Sequence, residues 1–305
     1  MIKYVLKRLF YSIFVLFGVA TIVFFLTRLT GDPVAILLPP DAPLSQIEET
    51  TARLGLDKPL FAQYGIFLRN SLSGDLGTSI RYRDKTFRLI MERMPATLML
   101  AGSAMLIALT VAIPVGILAA LRRGSAADRL LMALSVLGQA MPVFWIGILM
   151  IMLFSVRLRW LPTGGFGGIR YLILPAIALG IRFMAITARL LRSSLIEVMG
   201  TDFVRTSRAK GLREKAVVLK HALRNSMLPV VTVIGLQLGH LLGGSVVTET
   251  VFAWPGAGQM LVQAITYRDY PLVQASIILL AGVFVLINLA VDIIYVFIDP
   301  RISYT

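Results

Sequence analysis

The chain has 305 residues, 57% of them hydrophobic and only 15% charged, with a mean hydropathy of +0.81. Soluble domains carry about one quarter charged residues, so an ordinary cytosolic enzyme is excluded and an integral membrane protein is expected. Thirty Lys and Arg against 16 Asp and Glu give +14, which fits either a nucleic-acid binder or basic loops beside apolar spans; positions decide between them. The lack of cysteine excludes disulfides, thiolate metal sites and cysteine nucleophiles, and two histidines, His221 and His240, are too few for a histidine-built metal centre.

Crossing about 30 Å of hydrocarbon takes about 20 apolar helical residues. The first such run is residues 9–27, behind the basic start Lys3, Lys7 and Arg8. It is too long for a signal peptide and has no small-residue cleavage site before Arg28, so it is read as helix one. Residues 30–93 are too polar to span. Turn chemistry at Gly31-Asp32-Pro33, Pro39-Pro40 and Asp41-Ala42-Pro43 predicts a small extracytoplasmic cap. Within it, residues 45–53 read as a helix, with Ser45 and Glu48 as a capping box and Gly55 as the stop. Gly74-Asp75-Leu76-Gly77-Thr78-Ser79 reads as a glycine-bearing loop, used either as a structural turn or as a contact to substrate or partner.

Residues 94–305 then carry charge-free runs at 94–121, 130–156 and 225–248. Two more, at 171–188 and 270–298, are each interrupted by one ionisable residue, Arg182 and Asp292. The fold class is therefore an all-α integral membrane protein with six transmembrane helices, the chain dividing into 1–29, 30–93 and a five-helix core at 94–305. Pro114, Pro142 and Pro175 predict bends.

The short connections separate the two membrane sides. Three basic residues precede helix one, three lie at Arg122, Arg123 and Arg129, nine between Arg189 and Arg224, and one at Arg301, sixteen on one side. The other side has Arg157, Arg159, Arg170 and Arg268 in short loops, plus a long segment that the positive-inside rule discounts. Both termini are placed in the cytoplasm. The net charge is a topology signal, and no basic stripe interleaved with aromatics argues for nucleic acid.

The connection at 191–224 is the longest inner loop and has two amphipathic halves separated by Gly211. Thr201, Asp202, Phe203, Val204, Arg205, Thr206, Ser207, Arg208, Ala209 and Lys210 predict about three helical turns, with Thr201 or Asp202 as N-cap and Arg208 and Lys210 near the negative end. Gly211 supplies the left-handed stop. The second half puts Ala216, Leu219 and Leu223 on one face, with Lys215, Lys220 and Arg224 elsewhere.

Ionisable groups at membrane depth face partners or water. Arg182 and Asp292 each lie six residues before the last apolar position of their span, so they are expected to form an ion pair or share a polar network. Glu249 has two uses open to it, facing the pathway or pairing with an outer-loop arginine. Gln139, Gln237 and His240 are candidates for lining a wet cavity, although packing suits His240 better than proton transfer. Gly235, Gly239 and Gly243, four apart, give a smooth face for close helix approach.

The string of motifs resembles the permease subunits of binding-protein-dependent ABC importers, and within them the B-type subunit of the dipeptide, oligopeptide and nickel group. It runs from residues 1–8 and Gly31-Asp32-Pro33 through Leu54-Gly55-Leu56-Asp57-Lys58-Pro59-Leu60, Gly74-Asp75-Leu76-Gly77-Thr78-Ser79 and Gly138-Gln139-Ala140-Met141-Pro142. It continues through Phe203-Val204-Arg205-Thr206-Ser207-Arg208-Ala209-Lys210-Gly211, Leu228-Pro229, Thr248-Glu249-Thr250-Val251-Phe252-Ala253-Trp254-Pro255-Gly256 and Asp299-Pro300-Arg301. Arg205-Thr206-Ser207 stands where the wider family signature has Glu-Ala-Ala. The resemblance implies a type I importer architecture in a bacterial-type inner membrane. It also implies a second homologous permease as heterodimer partner, two ATPase subunits that bind ATP and Mg, and an extracytoplasmic binding protein. The loop at 201–211 would be the coupling helix. No phosphate-binding Gly-x-x-x-x-Gly-Lys-Ser/Thr loop occurs in the chain, so ATP hydrolysis is left to another subunit and no cofactor is expected here.

Overall fold

The computed structural model describes residues 2–29, 38, 42–53 and 56–298. The turns at Gly31-Asp32-Pro33, Pro39-Pro40 and Asp41, the stop at Gly55 and the closing Asp299-Pro300-Arg301 lie outside the described residues. Hydrocarbon offers no hydrogen bonds, so a spanning backbone must satisfy itself within each segment; helices dominate accordingly. In order they are α1 (Ile2–Leu29), α2 (Leu44–Arg53), α3 (Leu60–Leu72), α4 (Thr86–Leu121), α5 (Ala126–Ala140) and α6 (Val143–Arg157). There follow α7 (Ile169–Met199), α8 (Asp202–Ala209), α9 (Glu214–Val251), α10 (Ala257–Thr266) and α11 (Tyr270–Ile298).

Five of these, α1, α4, α7, α9 and α11, are long and apolar enough to cross a membrane. The straight span expected over 130–156 is instead the pair α5 and α6, bent by 108°. The break falls at Met141-Pro142, where proline removes an amide donor. Counted as one broken span, the pair brings the total to six. Pro114 and Pro175, by contrast, sit inside unbroken helices. Helix α2 starts at Leu44 because the Pro43 carbonyl accepts the amides of Gln46 and Ile47 at 2.9 and 3.2 Å; Ser45 lies inside the first turn and is not the N-cap.

The chain forms two compact units. The first comprises Met1–Thr97 and Pro255–Leu289. Its core packs Ile90 and Met94 of α4 against Ala257, Met260 and Ala264 of α10 and Leu272, Val273 and Ala275 of α11. Phe24 of α1 lies against Tyr64 and Phe67 of α3, each with ring centroids 5.3 Å apart, and the Thr21 and Tyr64 hydroxyls are 2.6 Å apart. The loop around Ser79 is held by a buried carboxylate. Asp269 accepts from the Ser79 hydroxyl, the Arg81 amide at 3.1 Å and the Leu272 amide at 3.2 Å. It thus caps α11 and pins the loop with one side chain.

The second unit comprises Leu98–Trp254 and Ala290–Thr305. Helix α7 is its centre, lying along α9 and α5. One apolar cluster joins Ile146, Leu174, Ala178 and Phe252; a second joins Ala120, Leu195, Val204, Val217 and Ala222. Within α9, Val217–Ala222 is π-helical, and this changes which face is buried. The sequence pattern puts Ala216, Leu219 and Leu223 inward. The structure buries Val217, Val218, Ala222 and Ser226 and leaves Leu219 46% exposed. A π turn inserts an extra residue between stacked positions, so the 3.6-residue pattern slips in register.

Helices α4 and α7 approach at two glycines. A Cβ on Gly180 would lie 2.7 Å from the Ala104 carbonyl oxygen, and one on Gly116 would lie 2.9 Å from that of Ala188. Gly243, expected to complete a smooth face with the buried Gly235 and Gly239, is exposed with nothing within 4 Å of its added Cβ. The Gly180→Val variant is expected to lose about 1–3 kcal/mol, read as a lower melting temperature of the detergent-solubilised protein, while Gly243→Ala leaves it unchanged. Equal effects of the two would contradict this packing.

Candidate functional site

The loop between α7 and α9 is the feature with the most defined geometry. Eight residues make too few hydrogen bonds to be stable alone, so α8 depends on what it rests on. Val204, fully buried, inserts among Ala120, Leu195, Val217 and Ala222. Thr201 occupies the N-cap position in extended conformation. Its hydroxyl donates to the Val198 carbonyl at 2.6 Å, so it ties α8 back to α7 instead of capping. Asp202 sits in the first turn, next to the positive end of the helix dipole. Its carboxylate accepts from Arg205 at 3.2 Å, in a pair open to water that contributes little.

The far end is fixed more firmly. Gly211 adopts φ +75°, the left-handed conformation that only glycine enters without strain, and its amide donates to the Arg208 carbonyl at 2.9 Å. Across that turn the Arg208 guanidinium donates twice to Glu214, at 2.7 and 3.1 Å. This holds the Glu214 carboxyl below its ordinary range; Glu214 lies well ahead of the apolar run that starts at Asn225. With Val204 turned inward, α8 presents Phe203, Arg205, Thr206, Arg208, Ala209 and Lys210 outward, with Ser207 half-buried. The result is a short rigid projection with one exposed aromatic ring and several cations.

A second fixed point lies outside what the sequence pattern predicts. Asp128 of α5 accepts from Arg192 of α7 through both carboxylate oxygens, at 2.6 and 2.7 Å. One of these oxygens also takes the Gly124 amide at 2.9 Å, and Ser125 caps α5 by accepting the Asp128 amide at 3.2 Å. Both charges lie beyond the apolar runs of their helices, Asp128 before Leu130 and Arg192 after Ala188. The Arg192 guanidinium first, then the Gly124 amide, bring the Asp128 carboxyl down to about 2. A depressed carboxyl adds stability above its unfolded value of about 4 and loses it only as pH falls toward 2, so the pair is intact at neutral pH. The readable signal was Ser125 followed three residues later by an acid, a capping box ahead of an apolar run.

All six residues considered for the pathway or a polar network fall in the second unit. Gln237 and Glu249 are buried, Gln139 and Asp292 half-buried, and Arg182 and His240 exposed. The His240 Nδ1 lies 3.0 Å from the Leu236 carbonyl. Both polar atoms of the Gln237 amide are buried without a hydrogen bond among the described residues. Between α5, α7 and α9 lies a cavity of about 500 Å³, lined by Arg189, Arg192 and Ser193 with Met132, Ile186 and Val233. None of the six lines it.

Comparison with known proteins gives three results. The family described as binding-protein-dependent transport system inner membrane component matches residues 112–304, and its N-terminal region matches residues 1–101. The glutathione transport system permease protein GsiC of Escherichia coli O6:H1 is 45% identical over 305 residues, covering all of both chains, and that of Shigella dysenteriae serotype 1 is equally similar. Among solved structures, a chain of the MetNI methionine ABC transporter in an inward-facing conformation superposes with a TM-score of 0.56 at 22% identity, covering 69% of this chain and 96% of that one. This last likeness concerns the fold alone.

Replacing Val204 by aspartate buries an unpaired charge and should release α8. We expect faster amide exchange and tryptic cleavage confined to residues 202–211, with Arg205→Ala, at an exposed position, indistinguishable from wild type. Unaltered exchange in Val204→Asp would contradict the docking described.

Proposed function

Because the chain belongs to the family of binding-protein-dependent transport system inner membrane components, we propose that α8 is the coupling helix through which separate ATPase subunits drive it. The chain is a multi-pass inner-membrane permease subunit of an ABC importer and performs no bond chemistry of its own. The carrying observation is the mounting of α8: Val204 is buried against residues of α4, α7 and α9, and Arg208 is clamped to Glu214. A projection so mounted transmits a push to the spans, and its exposed Phe203 suits an apolar cleft on the ATPase. Residues 201–211 are the contact.

In this reading the sixteen basic residues of the short loops mark the cytoplasmic side, both termini lie there, and the segment 30–93 forms an extracytoplasmic cap. The functional assembly pairs this chain with a second, homologous permease, two ATPase subunits that bind ATP and Mg, and an extracytoplasmic binding protein that delivers solute. The solute is a dipeptide, an oligopeptide or a similar small solute, a glutathione-like molecule or a nickel chelate among them, and full-length similarity to glutathione permeases supports the peptide-like choices. Gln139, Arg182, Gln237, His240, Glu249 and Asp292 are assigned to the pathway or its polar network, with Arg182 and Asp292 as the expected pair.

The Gly211→Val variant tests the coupling. A β-branched residue at positive φ costs about 1–3 kcal/mol and should misplace the α8–α9 turn. Reconstituted with its partners, the variant is expected to insert normally and hydrolyse ATP, but to accumulate roughly tenfold less glutathione per ATP, the factor that about 1.4 kcal/mol represents. Unchanged uptake per ATP would refute the assignment.

A further inference from the structure

Within the first unit, α1, α10 and α11 enclose an apolar groove that the transport reading leaves unused. It is a cavity of about 320 Å³ lined by Val23 and Leu26 of α1, Ile265 of α10, and Val273 and Ile277 of α11, with Arg268 and Tyr270 at its polar end. A smaller cavity of about 110 Å³ shares Thr27 and Tyr270 with it and adds Arg28 and Gln274. The Gln274 amide donates to the Thr27 hydroxyl at 2.6 Å, which ties the last turn of α1 to the first turns of α11 and fixes the groove between them. Its polar end therefore lies where two spans meet the membrane surface: α1 ends at Leu29, and α11 starts at Tyr270.

Three observations define the occupant. Apolar residues line the length of the groove, two of them, Leu26 and Ile265, more than half exposed, so they demand an apolar cover. The Tyr270 hydroxyl is buried without a hydrogen-bond partner among the described residues, and a buried hydroxyl of this kind calls for an acceptor. Arg268, exposed in the turn between α10 and α11, puts a cation at the mouth, and no acidic side chain lines either cavity. Asp269 beside it is already committed to Ser79, Arg81 and Leu272.

We propose that this groove is a binding site for one anionic phospholipid. An acyl chain fills the space between Val23, Leu26, Ile265, Val273 and Ile277. The phosphate, with its negative charge and acceptor oxygens, meets the Arg268 guanidinium and the Tyr270 hydroxyl. The lipid thereby covers the seam between the first and last helices of this unit. It is a structural ligand of the permease and not its cargo.

The intact assembly in vesicles can be labelled with phosphatidylglycerol or phosphatidylcholine carrying a photoreactive acyl chain. Labelled peptides are then mapped to residues 23–27 and 273–277. One basic side chain at a membrane surface contributes about 1 kcal/mol toward anionic lipid, so labelling there should favour phosphatidylglycerol about fivefold. Arg268→Gln and Tyr270→Phe, which remove a charge and a hydroxyl without filling space, should each reduce that preference. Equal labelling by the two lipids, or a preference that survives both substitutions, would overturn the proposal. Labelling of the separated chain but not of the assembly would give the groove to the companion permease and overturn it as well.

Discussion

A helix as short as α8 persists only because something larger holds it, and here that is one buried methyl-bearing side chain. Val204 enters a cluster contributed by α4, α7 and both ends of the π-helical turn of α9. The Thr201 hydroxyl and the Arg208–Glu214 pair then fix the two ends of α8 to its neighbours in sequence. Remove the burial and the two tethers hold only the ends of a helix too short to persist alone. Keep it, and α8 is a lever continuous with three helices. The transport mechanism proposed for this chain follows from that mechanical fact more than from any chemical group.

The ion pairs with defined geometry in the second unit lie outside the apolar runs of its spans. Asp128 and Arg192 bridge α5 to α7 with a two-point contact, and Arg208 and Glu214 do the same across the α8–α9 turn. In the first unit one carboxylate, Asp269, caps α11 and anchors the Ser79 loop. Each is an ion pair or a charge-assisted network outside the apolar runs, where water and protein together stabilise a charge. Inside the runs small residues set the closest helix contacts, as where Gly180 lets α4 and α7 touch.

Much of this was legible in the sequence because the membrane is a demanding solvent. The apolar runs announce their helices, and Gly211, followed by a basic amphipathic stretch, announces the turn after α8. What was not legible has identifiable causes. The register of α9 escapes pattern reading because a π turn breaks the 3.6-residue period that such reading assumes, moving the buried face from Ala216 and Leu219 to Val217 and Val218. The bend at Pro142 was readable as a bend, but its 108° angle depends on how α5 and α6 each pack on α7. The Asp128–Arg192 and Ser79–Asp269 contacts join residues far apart in the chain, and a single sequence carries no sign of which donor each carboxylate meets. Val204 is legible as a member of the loop, but its role as the inward anchor depends on tertiary contacts.

The measurement that bears most directly on the lever is a distance within the second unit. Spin labels at Thr206 on α8 and Leu219 on α9, both exposed, should give one narrow distance distribution in the assembled transporter, unchanged between the nucleotide-free and ATP-bound states. A distribution that broadens or shifts with nucleotide would mean that α8 moves independently of the spans, and coupling through a rigid lever would be contradicted.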